Sequence, residues 1–204
     1  MASTTIDIDT ELSAVNNILG AIGQSPLTVL NFDNPEISVI YNLLRDANVD
    51  TQAEGWHFNT EKHVEFAIDI NGKIAIGNDI LSMDSHDNRF DRSKNLVRRN
   101  GFLYDKHEHT DVFTGSVFLD VVRLYNFEDL PIAFRRYITY RASRTAATQL
   151  ITNPQLVKLL AQQEALARAA LMEYECNQGD HSMMGFEDGT NYRTYQPFQN
   201  LRRR

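Results

Sequence analysis

The residues best suited to chemistry are histidines, carboxylates and arginines, and their spacing sets what each group could do. His107 and His109 stand two apart; on a strand both side chains would leave the same side and could share a metal ion. No third ligand follows at a recognisable spacing, so Lys106-His107-Glu108-His109 is expected to be a solvated loop. Asp84, Asp87 and Asp91, with His86 and Asn88 between them, outline a calcium loop. The glycine of its sharp turn and its closing bidentate glutamate are missing, so a polar inter-strand loop is expected. Glu61 with Glu65, or Glu128 with Asp129, could be drawn as glycosidase pairs. Glycoside hydrolysis needs two carboxyls about 5–10 Å apart across a cleft, one with its pKa raised by burial. Neither pair has an apolar setting in the sequence. There is no Gly-x-Ser-x-Gly, no phosphate-cradling glycine loop and no Cys/His nucleophile signature. No catalytic residue, cofactor or metal is expected.

Arg135, Arg136, Arg141 and Arg144 occur with no acid between them. Guanidinium forks bond phosphate and carboxylate equally well. The chain has 20 basic residues against 27 acidic ones and a net charge of −7, whereas a nucleic-acid module is ordinarily basic. Ion pairs with neighbouring helices or subunits are therefore the expected use of these arginines. A second group of interface anchors is Tyr192, Tyr195 and Phe198 with the terminal Arg202-Arg203-Arg204, residue types on which binding energy concentrates.

These residues must be held by helices and strands, and the periodicity places them. Thr10 caps a first helix with Leu12, Val15, Leu19 and Ile22 on one face, ended by Gly23 and blocked by Pro26. Asn34-Pro35-Glu36 opens a second, with Ile37, Ile40, Tyr41, Leu44 and Ala47 as its stripe and Gly55 as its stop. From Trp56 the period changes to two. Val64, Phe66, Ile68 and Ile70 alternate with polar residues, Asn71-Gly72 signals a hairpin, and Lys73-Ile74-Ala75-Ile76 reads as the return strand. A polar loop is expected from Ser82 to Lys94. Asn100-Gly101 signals another hairpin between Leu96–Arg99 and Phe102–Tyr104, and Val117, Leu119 and Val121 continue the sheet.

Glu128, Asp129 and Pro131 then open the helix that carries the arginines, with acids beside its positive end. Phe134, Ile138, Ala142, Ala146 and Leu150 recur every four residues as its apolar face, flanked by Ile132 and Tyr137. Asn153-Pro154 opens a fourth helix of about 22 residues to Cys176, roughly 33 Å long. One apolar face per helix requires helix-on-helix burial. The expected fold is α+β: a four-helix bundle with an antiparallel β block inserted between helices 2 and 3, plus an extended C-terminal tail. The boundaries are an arm at 1–9, helices 1–2 at 10–55, the β block at 56–124, helices 3–4 at 125–176 and the tail at 177–204.

No apolar run approaches the ~18 residues of a membrane helix, and no membrane partner is expected. Met1-Ala2-Ser3-Thr4-Thr5 shows neither the basic nor the apolar region of a secretory signal. Cys176, the single cysteine, excludes an intramolecular disulfide.

Four collinear stretches carry a resemblance. They are Glu11-Leu12-Ser13-Ala14-Val15-Asn16-Asn17-Ile18-Leu19 with Ile22-Gly23 and Pro26; Gly55-Trp56-His57-Phe58-Asn59; Arg123-Leu124 through Glu128-Asp129-Leu130-Pro131, Phe134-Arg135, Tyr137-Ile138 and Ala142-Ser143-Arg144; and Ala170-Leu171-Met172-Glu173-Tyr174-Glu175. Over roughly residues 10 to 176 the chain resembles the tail tubular protein A family, the adaptor of short-tailed bacteriophages. The resemblance implies the same helical arrangement and a virion tail protein made in the host cytoplasm. It implies a homo-oligomeric ring of twelve subunits between the portal protein and the tail nozzle (tail tubular protein B), with the tail fibre as a further neighbour. DNA would pass through without specific binding. Net negative charge suits such a lining, because basic contacts that release counterions make proteins adhere to the duplex. The competing classes are a tail-associated glycan hydrolase, which needs buried paired carboxylates in a cleft, and a small helical regulator, which would form no ring.

Overall fold

The computed structural model describes residues 10–85, 95–151 and 153–179. Four helices and an antiparallel β block make an α+β fold, with the block between the second and third helices. α1 spans Glu11–Ala21, α2 Pro35–Gln52, α3 Ile132–Ala146 and α4 Pro154–Gln178. The expected caps form. Thr10 accepts from Ser13 N–H at 3.3 Å, Asn34 from Glu36 N–H at 3.0 Å, and Asn153 from Gln155 and Leu156 N–H at 3.0 and 3.3 Å. Each satisfies donors that the first helical turn leaves open. α1 ends on Gly23 at φ +79°, with Gln24 N–H reaching back to Leu19 O at 2.8 Å and Gly23 N–H to Gly20 O at 3.1 Å. That is the paired-bond helix stop for which glycine is the natural residue.

The third helix starts one residue later than its sequence suggested. Pro131 is the cap (φ −58°, ψ 146°), and Ile132 is the first helical residue. Phe134, Ile138, Ala142 and Ala146 are all fully buried, as their spacing requires. Leu150 leaves the series. Ala147–Ile151 form a π turn, whose i→i+5 bonds add a residue to the turn and rotate the next side chain off the stripe. Leu150 is 46% exposed. α4 runs two residues past Cys176, to Gln178.

The β block departs more from its sequence reading. A three-stranded sheet has the order β1 (Thr60–Phe66), β5 (Val117–Arg123), β2 (Ile80–Ser85); a separate hairpin joins β3 (Leu96–Arg99) to β4 (Phe102–Asp105). β1 ends at Phe66 and pairs with β5, not with Lys73–Ile76. Asn71-Gly72 does turn the chain: Gly72 has φ +73°, and Asp69 N–H bonds Lys73 O at 2.7 Å. Beyond the turn, however, Ile74 and Ile76 cross to the hairpin, with Leu103 N–H on Ile74 O at 2.9 Å and Ile76 N–H on Gly101 O at 2.8 Å. Alternation says which face is buried but not which strand is the partner. Ile74 and Ile76 are buried, whereas Ile70 is 99% exposed at the tip.

The expected polar loop at Ser82–Lys94 begins instead as a strand. β2 pairs Ser82, Met83, Asp84 and Ser85 with Val122 to Leu119 of β5. Ile80, Leu81 and Met83 stand out of strict alternation and Asp84-Ser85 are polar, so the sequence carries no period-two strand pattern here. Residues 86–94 of that reading lie outside the described residues.

Two cores result. Val15, Ile18, Leu19, Ile40, Leu44, Trp56, Phe134, Ile138, Ala142 and Leu171 fill the space between the helices. Ile74, Ile76, Ile80, Leu103, Leu119 and Val121 fill the β block. α3 is the central rod, packed by α1, α2 and α4.

Candidate functional site

The arginines of α3 separate into two groups by what they touch. Arg141 Nη2 lies 2.9 Å from Asp50 Oδ2 and its Nη1 3.8 Å from Glu54 Oε1. Arg144 is paired with Glu164 of α4 through both Nε and Nη2. The hydrogen bond that Arg144 donates to Glu164 raises the guanidinium above its ordinary value. These two side chains tie α3 to α2 and α4 within the subunit.

Arg168 of α4, which spacing gave no reason to single out, completes the array. It holds Glu54 bidentately at 2.5 and 3.2 Å and lies over the rings of Trp56, at 4.8 Å, and Tyr137, at 5.2 Å. Its bond to Glu54 raises its pKa in the same way. No spacing on α4 pointed to this contact: Glu164, four residues before Arg168, is taken by Arg144, and Arg168 reaches Glu54 of another segment.

Arg135 and Arg136 take a different direction. Arg135 is half-buried, and Arg136 lines a groove of about 450 Å³ between α1, α3 and α4 with Asn17, Ala21, Thr139, Tyr140, Ser143, Leu160 and Gln163. Tyr192, Tyr195, Phe198, Arg202, Arg203 and Arg204, the other expected anchors, lie outside the described residues.

The remaining candidates are dispersed. His107 and His109 stand on an exposed turn closed by Asp105, whose carboxylate accepts from His107 N–H at 2.7 Å. No group of three or more His, Cys, Asp or Glu able to hold a metal occurs among the described residues. Asp84 faces Asp120 across β2 and β5, while His86, Asp87, Asn88 and Asp91 lie outside the described residues. Glu61 accepts from Arg123 Nε at 2.9 Å and from the Tyr125 hydroxyl at 3.1 Å, and Arg123 also reaches Asp79 at 2.8 Å. Glu65, Glu128 and Asp129 are exposed. The candidate glycosidase pairs therefore lie in no apolar cleft: Glu61 is committed to a cation, and the others are solvated.

What points outward is apolar. Leu159 is 59% and Leu166 72% exposed on α4; Met172 of the same helix and Leu150 and Ile151 of the π turn are also exposed. Val29, Phe32 and Val39 are exposed around the α1–α2 connection, and Ile68, Ile70 and Val112 at the tip of the β block. Where such side chains join into one contiguous patch, it marks a surface that other proteins cover.

The helical framework is cross-braced by its own ion pairs and leaves Leu159 and Leu166 of α4 exposed. Residues 12–181 match the family model described as Tube, tail tubular protein. The chain belongs to the tail tubular protein family and is a structural component of the phage tail. No curated protein matches it.

Proposed function

We propose that this chain is the ring-forming adaptor of the tail. In this reading it joins the portal protein to the nozzle, with the tail fibre nearby, and encircles the channel by which DNA leaves. The observation that carries the reading is the family match over residues 12–181. The apolar side chains left outward on α4, Leu159 and Leu166, support it, because a ring subunit must hold back such surface for its neighbours. Net charge of −7 suits the wall of a conduit, where positive charge would hold the duplex by counterion release. Heterologous contacts whose rotation closes give a ring, and the family resemblance implies about twelve copies in it.

The experiment is imaging by negative stain of this protein mixed with portal rings. A stacked annulus on one pole of the portal is the expected outcome. Portal rings that stay bare at micromolar protein would sink the reading, and so would a protein that stays monomeric beside them.

A further inference from the structure

α4 packs on α3 and buries Leu160 and Leu171, which fix the side it turns to the bundle. At about 100° per residue, the opposite direction passes midway between Ala165 and Leu166. Around that line the helix presents Leu159, Gln162, Ala165, Leu166, Ala169 and Met172, all exposed. From 159 to 172 the only charged residues are Glu164 and Arg168, which hold Arg144 and Glu54 within the subunit. Charge returns to the outward side at its two ends, as Lys158 and Glu173. Both are exposed, and among the described residues neither enters an ion pair.

We propose that this face is a contact between two copies of the chain, their α4 helices antiparallel about a two-fold axis between Ala165 and Leu166. Charge selects both the partner and its direction. Each copy carries a net charge of −7, so two copies approach best where neither presents charge. Lys158 and Glu173 lie about 11 Å to either side of the midpoint along the helix axis, and on opposite flanks of the outward line. Reversal about the two-fold therefore sets Lys158 of each copy against Glu173 of the other. The same operation sets Leu159 against Met172, Gln162 against Ala169 and Ala165 against Leu166, an uncharged strip between two ion pairs. A parallel pairing in register would instead set Lys158 against Lys158 and Glu173 against Glu173, and like charges so placed repel. A two-fold contact closes at two copies, so the pair belongs to the free protein. This goes beyond the adaptor reading and does not depend on it. Where that reading holds, the pair keeps Leu159 and Leu166 covered until ring neighbours displace it.

The native thiol supplies the test. Gln155 and the exposed Cys176 stand symmetrically about the same midpoint, so the two-fold sets them against each other. Within one chain they are about 31 Å apart along the helix, far beyond the reach of a disulfide. One helix face is small beside the roughly 800 Å² per partner of a stable complex, so association is weak and calls for about 100 μM protein. Mild oxidation of purified Gln155→Cys at that concentration should convert most of it to a disulfide-linked dimer. The unaltered chain and Gln155→Cys with Cys176→Ser, each with one thiol, should remain monomeric without reductant. No dimer from the two-thiol protein overturns the proposal, and so does equal dimer from the one-thiol proteins. A charge exchange checks the ends of the face by sedimentation of the unoxidised chain. Lys158→Glu should weaken association at least tenfold, and adding Glu173→Lys should restore it. Absence of rescue would show that the two ends do not meet. Failure here leaves the adaptor reading standing, since that reading is tested on portal rings and this one on the free protein.

Discussion

Gln52 and Tyr125 are hydrogen-bonded in both directions: Gln52 Nε2 donates to Tyr125 O at 2.9 Å, and Tyr125 N–H donates to Gln52 Oε1 at 2.8 Å. The side-chain amide takes the place of a peptide group and joins the end of α2 to the chain just after β5. Gln52 is fully buried, and Nε2 also donates to Asn48 Oδ1 at 2.8 Å. Asn59 repeats the device, donating to Gln52 O at 2.9 Å and Arg123 O at 3.0 Å while accepting from Trp56 N–H at 2.7 Å. The inserted β block is thus latched where it leaves the helices and where it returns.

Gln52→Leu should therefore cost about 2–4 kcal/mol, because it keeps the volume but strands the Tyr125 N–H and carbonyl without partners. Urea denaturation gives the loss, and hydrogen exchange should show the Tyr125 amide unprotected. A loss under about 0.5 kcal/mol would show that water replaces the amide at no cost.

Phe134 meets Phe58, Trp56 and Tyr174 edge-on, with ring centroids 4.6, 5.1 and 6.2 Å away. Phe134→Ala should destabilise by about 3–5 kcal/mol, and Ile138→Ala by about 2–5. Leu166→Ala on the exposed face of α4 should change stability by less than about 0.5 kcal/mol. Chemical denaturation of the three variants checks the contrast. Comparable losses at Leu166 and Phe134 would mean that α4 buries the opposite face.

The helices were legible because their information is local. Thr10, Asn34 and Asn153 announce their helices by capping chemistry, and Phe134, Ile138 and Ala142 announce a buried stripe by spacing. The partner of a strand is not local. Val64 and Phe66 alternate whether they pair with Lys73–Ile76 or with β5, and only the second pairing occurs. In β2 the apolar residues Ile80, Leu81 and Met83 do not alternate strictly, so no period-two pattern marked it. Residue type and overall charge led to the expectation of ion pairs for all four arginines of α3, and Arg141 and Arg144 make them within the chain. That Arg141 and Arg144 reach acids of α2 and α4 while Arg136 faces a groove depends on the rotation of α3 against three neighbours. The Gln52–Tyr125 latch spans 73 positions and has no motif.

Arg168 should be sensitive even to lysine. It forks onto Glu54 and lies over Trp56 and Tyr137, contacts that need a planar cation. About a third of its side chain is exposed, so solvent screening reduces the effect. Arg168→Lys should cost about 0.5–1 kcal/mol on that scale. Trp56 is the single tryptophan, so its emission should shift in Arg168→Lys and report the lost stack directly. An unchanged spectrum would show that the stack is not kept in solution.

Alkaline pH should loosen the contacts of Tyr125 with Glu61 and of Tyr41 with Glu11. Burial, then the hydrogen bond to Glu61, raises the Tyr125 phenol above its ordinary value, and burial and Glu11 raise Tyr41. A raised folded-state pKa means that the folded chain holds its proton more tightly than the unfolded one. The stabilisation is complete below the unfolded value, near pH 10, and is lost as pH rises through the folded one. Melting temperature should be level from pH 8 to about 9.5 and fall above it. Tyr125→Phe should begin about 0.5–1.5 kcal/mol lower at pH 8, for the lost hydrogen bond, and fall less steeply. Parallel curves for the two proteins would remove Tyr125 as a contributor.

The last prediction separates folding from assembly at the end of α4. Gly179 N–H bonds Glu175 O at 2.9 Å and closes the helix. Upstream of it, Glu175 Oε1 still accepts from His57 N–H at 2.6 Å, and Leu171 is fully buried. A chain ending at Gly179 keeps each of these contacts and should match the full chain in helical circular dichroism and in melting. The residues removed include Phe186, Tyr192, Tyr195, Phe198 and Arg202-Arg203-Arg204, aromatics and cations without a period that would bury one face locally. Segments of this composition gain their binding energy by spreading over a partner, with the entropy of ordering set against it. On the adaptor reading, co-sedimentation with portal and with nozzle protein should therefore fall at least tenfold in affinity for one of them. Full affinity for both would move the contacts to the apolar faces of α4 and the β block. Loss of the fold would instead place the removed residues in the core and shift the end of the folded unit beyond Gly179.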